Sequence, residues 1–140
     1  MLDHEGKPCF AELAILRTLL AHGWSGAWVE AFRGRQRYRF LQSMPASWQF
    51  DSDFVMPEDK FSIFASIGGA CLDVMAWRGA DLLFCEAKRH RRDKFKAPQL
   101  RFIEGALARG IPREAMLVVE WSVGRLDPQA TAEAMSSAAQ

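Results

Sequence analysis

Three residues in the second half of this 140-residue chain have the types and spacing of a charged catalytic cluster: Asp73, Glu86 and Lys88. They belong to two apolar runs, 72–77 and 82–88, separated by Arg78-Gly79-Ala80-Asp81. Gly79-Ala80 suits a two-residue hairpin turn, because a type II′ turn takes glycine at its first central position. Counting outward from that turn, Asp73 falls opposite Glu86, with β-carbons about 4.5–5.5 Å apart. Lys88 shares the side of Glu86, since strand side chains alternate. Like charges directly opposite one another destabilise a sheet, so the hairpin calls for a cation, a raised pKa or a basic neighbour. Mg²⁺ is commonly held by one or two carboxylates together with phosphates and waters. An ammonium beside such an ion can orient or deprotonate a water, or stabilise charge developing on phosphate. The competing reading is an exposed hairpin on which Glu86 and Lys88 form an ordinary surface pair. The surrounding Val74, Met75, Ala76, Trp77, Leu82, Leu83 and Phe84 argue for burial, where charges must be paired or metal-bound.

Two further polar residues stand on apolar helix faces. Residues 10–20 read as a helix stopping near His22-Gly23, with Leu13, Ile15, Leu16, Leu19 and Leu20 on one arc and Glu12 near its middle. Pro98 opens a second long helix that stops at Gly110. Leu100, Phe102, Ile103, Ala106 and Leu107 form its arc, with Gln99 near the centre. The remaining pattern predicts extended chain over 28–40, as two short strands or one bent at Gly34. A short helix starts at Pro57-Glu58-Asp59, buries Phe61, Phe64, Ala65 and Ile67, and ends at Gly68-Gly69. A final buried strand spans 115–121. The order helix, strands, short helix, hairpin, helix, strand predicts an α/β or α+β sandwich.

The formal net charge is only +1, from 18 Lys and Arg against 17 Asp and Glu, which excludes a uniformly basic coat. Local charge is uneven. Arg33, Arg35, Arg37 and Arg39 alternate, so a strand would project all four from one side. Lys88, Arg89, Arg91, Arg92, Lys94, Lys96 and Arg101 set seven bases against Glu86 and Asp93. Such rows suit phosphate backbones, which makes a nucleic acid the expected partner. The composition, 49% hydrophobic and 25% charged, is that of one globular domain, predicted over 1–125 with a tail at 126–140. There is no apolar run of membrane-spanning length and no secretory start, so the cytoplasm is the expected compartment and no membrane partner is expected. Cys9, Cys71 and Cys85 lack the spacing of a disulfide or zinc framework. His4, His22 and His90 share no ligand spacing, and Trp24, Trp28, Trp48 and Phe50 read as core or loop anchors. With no P-loop, G-x-S-x-G, H-E-x-x-H or zinc-deaminase pattern, no organic cofactor is expected.

Taken together these residues resemble the PD-(D/E)XK nuclease superfamily, most closely its small VRR-NUC-type domains. The likeness covers residues 68–121: Gly68-Gly69, Leu72-Asp73-Val74, the glycine turn, Phe84-Cys85-Glu86-Ala87-Lys88, and Gln99 opening the next helix. Glu12 looks like the acidic residue many members contribute from their first helix. Leu72 stands where the motif has proline, the paired glycines lie upstream of their usual place, and no Val-Arg-Arg stretch is present. The resemblance implies a restriction-endonuclease-like α/β core, a central mixed β-sheet flanked by helices. It implies Mg²⁺- or Mn²⁺-dependent endonucleolytic hydrolysis of DNA, with branched or nicked DNA among the candidate substrates. Asp73, Glu86 and the Ala87 carbonyl would hold metal, Lys88 would position or activate the attacking water, and Gln99 and Glu12 would support the site. Arg33, Arg35, Arg37, Arg39, Arg89, Arg91, Arg92, Lys94 and Lys96 are the candidate DNA contacts. A homodimer is expected where both strands are cut. The alternative is a non-catalytic DNA- or protein-binding module of the same fold.

Overall fold

In the computed structural model, which describes residues 2–4, 7–32, 37–45, 52–68, 71–90 and 94–122, the chain is built around a five-stranded mixed sheet. Its strands are β3 (Ser25–Phe32), β4 (Arg37–Leu41), β5 (Val74–Arg78), β6 (Asp81–Arg89) and β7 (Met116–Trp121), in the order β4-β3-β5-β6-β7. Three helices flank it: α1 (Ala11–Ala21), α2 (Glu58–Ile67) and α3 (Ala97–Ala108). Neighbouring strands are antiparallel except β6 and β7, which run parallel and are joined through α3. A separate small hairpin, β1 (Leu2–His4) with β2 (Lys7–Cys9), precedes α1 and has no counterpart in the sequence reading. The expected hairpin register holds from Arg78 opposite Asp81 to Val74 opposite Cys85, with Asp73 and Glu86 just beyond the paired residues, and Gly79 takes a positive φ of 59° in the turn. A left-handed backbone there favours glycine.

Alternation along each strand splits the core in two. Val74, Ala76, Leu83 and Cys85 join Trp28 and Leu41 beneath Leu13 and Leu16 of α1. Met75 and Phe84 join Ala27, Val29 and Phe40 against Phe64 and Ile67 of α2 and Phe102 and Ala106 of α3. Phe84 and Phe102 meet edge to face at 5.2 Å. The central strands are thus apolar on both sides, which is why β5 and β6 read as nearly continuous hydrophobic runs.

Three expectations about burial are corrected. In α2 the inward arc is Ile63, Phe64 and Ile67, while Phe61 and Ala65 are exposed. In α3 the arc is Gln99, Phe102, Ile103 and Ala106, spaced i, i+3, i+4, i+7; Leu100 and Leu107 face outward. The final strand is not buried: β7 lies at the margin of the sheet, with Leu117 45% and Val118 53% exposed. It pairs with β6 alone, and α1 packs mainly on β3, β5 and β6. The extended chain over 28–40 is two strands, and Gly34 lies outside the described residues, as do 126–140. No helix among the described residues is long and apolar enough to cross a membrane.

Gly105 fixes the approach of α3 to α2. A β-carbon there would sit 2.5 Å from the Ile67 carbonyl oxygen. Gly→Ala in a helix interior ordinarily stabilises by up to about 1 kcal/mol. Here the clash with backbone reverses the sign, and Gly105→Ala is expected to destabilise by about 1–3 kcal/mol. Equilibrium denaturant unfolding measures it; an unchanged or raised midpoint would contradict this packing.

Candidate active site

The antiparallel meander and the parallel crossover bring four chain segments to one end of the sheet: the starts of α1, β5 and α3, and the carboxyl end of β6. On β6 the alternation that turns Leu82 and Phe84 toward α3 continues into Glu86 and Lys88. Both are buried, at 2% and 9% exposure. An unpaired charge in such a place would be prohibitive, so each must find partners.

Glu86 is held from three directions. Its Oε2 accepts the Asp73 backbone N–H at 3.2 Å. Its Oε1 lies 3.1 Å from Lys88 Nζ and accepts a short hydrogen bond from Gln99 Nε2. Asp73 sits just before β5, where its carbonyl accepts the Val29 N–H at 2.7 Å. Its carboxylate accepts the Ala87 N–H at 2.8 Å, so Asp73 and the Glu86-Ala87 pair exchange hydrogen bonds across the hairpin mouth. Lys88 Nζ also donates to the Lys94 carbonyl and to Gln99 Oε1, each at 3.1 Å, and lies 5.0 Å from the Phe95 ring centroid. Gln99 Oε1 accepts the Lys96 N–H at 2.9 Å, reaching back to the residue that precedes α3. The two amide termini of Gln99 therefore tie the helix start to Glu86 and to Lys88 together.

Burial, with the Glu86 carboxylate next, lifts the Asp73 pKa from 3.8 to about 7. Glu12 on α1 adds to that rise, and the Ala87 N–H opposes it. Glu12 is half-buried in the first turn of its helix and so stands near Asp73, as its place on the arc suggests. Asp73, Glu86, Lys88 and Gln99 are thus joined at one place, with Glu12 close enough to act on Asp73 through its charge. The Ala87 N–H serves Asp73.

Among the described residues no group of three or more His, Cys, Asp and Glu is placed to hold a metal. Two adjoining carboxylates are nonetheless a sufficient protein contribution for Mg²⁺ or Mn²⁺ when phosphate oxygens and waters complete the shell. The strained protonation of Asp73 is what a cation between two buried carboxylates would relieve. The donor set fits a hard divalent ion.

The basic residues divide. Arg39 is 5% exposed and ion-paired with Glu30, its directly opposed neighbour on β3, so it does not present itself to a phosphate backbone as the alternating row suggested. The reason is that Arg39 shares its side of β4 with Leu41, which points into the α1 side of the core. Arg33, Arg35, Arg91 and Arg92 lie outside the described residues, as does the Arg37 side chain. Arg89 is half-buried over the Trp121 ring at 5.5 Å, while Lys94 and Lys96 are exposed beside the site. Trp28 is a core residue, Trp24 stacks with Arg78 at 4.6 Å, and Trp48 and Phe50 lie outside the described residues. Sequence reasoning missed the Glu30–Arg39 pair, the 2.9 Å pair of His90 with Glu120, and the hold of Lys94 and Phe95 on Lys88. Knowledge of the β3–β4 register would have exposed the first; the others depend on a parallel pairing and a connector path with no local signal. The chain matches no protein-family model, no curated protein and no solved structure.

In the absence of metal, folded Asp73 holds its proton more tightly than the unfolded chain does. Its contribution to stability is therefore present below the ordinary value of 3.8 and is lost as pH rises through that value to about 7. Asp73→Asn keeps an acceptor for the Ala87 N–H and removes this dependence. In chelator-treated protein the variant is expected to melt roughly 3 °C or more above wild type at pH 8. The gain should vanish near pH 4, and Mg²⁺ should raise the melting temperature of wild type alone. Parallel melting curves from pH 4 to pH 8 would refute the coupling.

Proposed function

We propose that this chain is a metal-dependent deoxyribonuclease with a restriction-endonuclease-like core, an endonuclease hydrolysing DNA phosphodiester bonds. The observation that carries the reading is the closure of Asp73, Glu86, Lys88 and Gln99, from three separate elements, into one hydrogen-bonded set at the carboxyl end of β6. Ligands of α/β sheets characteristically bind outside the carboxyl ends of strands. A Mg²⁺ or Mn²⁺ ion held by Asp73 and Glu86 would supply Lewis-acid polarisation of a phosphoryl oxygen. The chain's own groups do the rest. Lys88 positions the attacking water and meets the negative charge that grows on phosphate. Gln99 holds Lys88 and Glu86 at a fixed separation, and Glu12 adds negative charge that favours the cation. In the reaction the water oxygen bonds to phosphorus and gives up a proton to solvent, the bond from phosphorus to the sugar oxygen breaks, and that oxygen takes up a proton from solvent.

DNA as substrate is supported by the surroundings of the site. Lys94 and Lys96 are exposed within the segment that holds Lys88, and Arg101 is exposed on α3. Cutting both strands of a duplex takes two such sites, hence a homodimer or successive visits by one chain.

A second reading rests on one observation. Lys88 already has Glu86, Gln99 and Lys94 as acceptors, and no buried side-chain polar atom among the described residues lacks a partner. Such a self-satisfied network also suits a DNA-binding module that does not cut.

Incubation with plasmid and branched DNA in Mg²⁺ or Mn²⁺ separates the two. Cleavage is expected, and Asp73→Asn, Glu86→Gln and Lys88→Ala should each lower its rate at least about 10²-fold while salt-sensitive binding persists. Metal-independent binding with no cleavage by wild type supports the binding module. Cleavage that survives the Asp73→Asn, Glu86→Gln double variant removes the site from the mechanism.

A further inference from the structure

Lys88 is reached not only by Glu86 and Gln99 but also by a three-residue segment that the motif does not include, Lys94-Phe95-Lys96. Each of its residues meets the site through a different kind of contact. The Lys94 carbonyl accepts from Lys88 Nζ at 3.1 Å. The Phe95 ring lies with its centroid 5.0 Å from the same nitrogen. The Lys96 N–H binds Gln99 Oε1, the atom that also accepts from Lys88. A lysine side chain has four rotatable carbons' worth of freedom, and hydrogen bonds alone leave an ammonium able to turn about its own axis. A half-buried aromatic face is a different restraint, because it attracts the cation over an area and closes off one direction of escape.

We infer that Phe95 is a positioning residue for Lys88, clasping its ammonium against the Glu86–Gln99 pair so that it points to the phosphate during hydrolysis. The inference rests on the hydrolase reading of the site and adds to it a residue outside the charged cluster. Phe95 touches no substrate; its effect passes through Lys88. The exposed ammonium groups of Lys94 and Lys96 belong to the same segment but do not depend on the ring. Loss of the ring should therefore disturb the chemical step and spare the phosphate contacts.

The experiment compares wild type with Phe95→Leu and Phe95→Tyr, in cleavage kinetics with Mn²⁺ and in the NMR spectrum of lysine-labelled protein. Phe95→Leu should lower kcat roughly 10- to 100-fold with KM within about twofold of wild type. Phe95→Tyr, which keeps the aromatic face, should restore kcat to within about threefold. The Lys88 ε-methylene resonance should be displaced by the ring in wild type and Phe95→Tyr, and should return toward that of the other lysines in Phe95→Leu. A wild-type enzyme that cleaves while Phe95→Leu keeps its kcat overturns the positioning role and leaves the hydrolase reading standing. A wild type that cuts no DNA overturns the hydrolase reading. An undisplaced Lys88 resonance in wild type overturns the clasp whatever the cleavage assay gives, and a Phe95→Tyr variant as slow as Phe95→Leu does the same for the aromatic contact.

Discussion

Glu86 is a carboxylate at 2% exposure near the end of a strand whose inner half is apolar, and most of the site's architecture follows from what that position demands. An isolated buried carboxylate would cost far more than a domain of this size can spare. The cost is offset by converging three donors, and each donor comes from a different part of the chain: the Asp73 backbone at the start of β5, Lys88 two residues along β6, and Gln99 in the first turn of α3. Removing any one partner leaves the charge under-compensated, so the three elements are bound to a common geometry. The arrangement differs from a surface ion pair, which is worth little and can be rearranged freely.

The hairpin turn is the device that makes this convergence possible. Because side-chain direction has a period of two residues, a slip of one residue between β5 and β6 would carry Glu86 and Lys88 to the α1 side and Cys85 to the α3 side. Gly79 at a φ of 59° permits the tight connection that prevents the slip, and the paired apolar residues on both faces reinforce it. Asp73 then departs from the ladder at the right place. Its carbonyl turns to Val29 on β3 while its carboxylate bonds back to Ala87. Two acids can lie side by side because the backbone N–H groups of the residues concerned are turned toward the carboxylates.

These features were unequally visible in the sequence. The hairpin register, the facing of Asp73 and Glu86, and the placement of Gln99 and Glu12 follow from local periodicity, turn chemistry and helix arcs, all of which act over a few residues. The exposure of Leu117 and Val118 could not be read in this way, because an apolar run does not say whether its strand is central or marginal. Arg39 misled for a related reason. Alternation showed which residues share a side, but not that this side of β4 faces the core and that Glu30 waits opposite. Phe95 carried no signal at all: its relation to Lys88 exists only once the residues just before α3 meet the end of β6.

The charges at the site also set an order of events. With Glu12, Asp73 and Glu86 together and Lys88 the nearest cation, a metal-free site is held from full ionisation by the proton that Asp73 retains to about pH 7. On the proposed reading, a phosphate approaching that site would meet carboxylates, whatever the attraction of Lys94 and Lys96 beside it. A divalent cation would, on the hydrolase reading, displace the proton and cancel the net negative charge of Glu12, Asp73, Glu86 and Lys88, after which the centre would no longer oppose the pull of the surrounding bases on phosphate. The near-zero net charge of the chain is compatible with DNA binding on these terms, because attraction is needed only at one end of one sheet and only after the cation has entered. On that same reading, metal uptake would precede productive DNA engagement, because the carboxylates stand at the centre of the site and the exposed lysines at its margin.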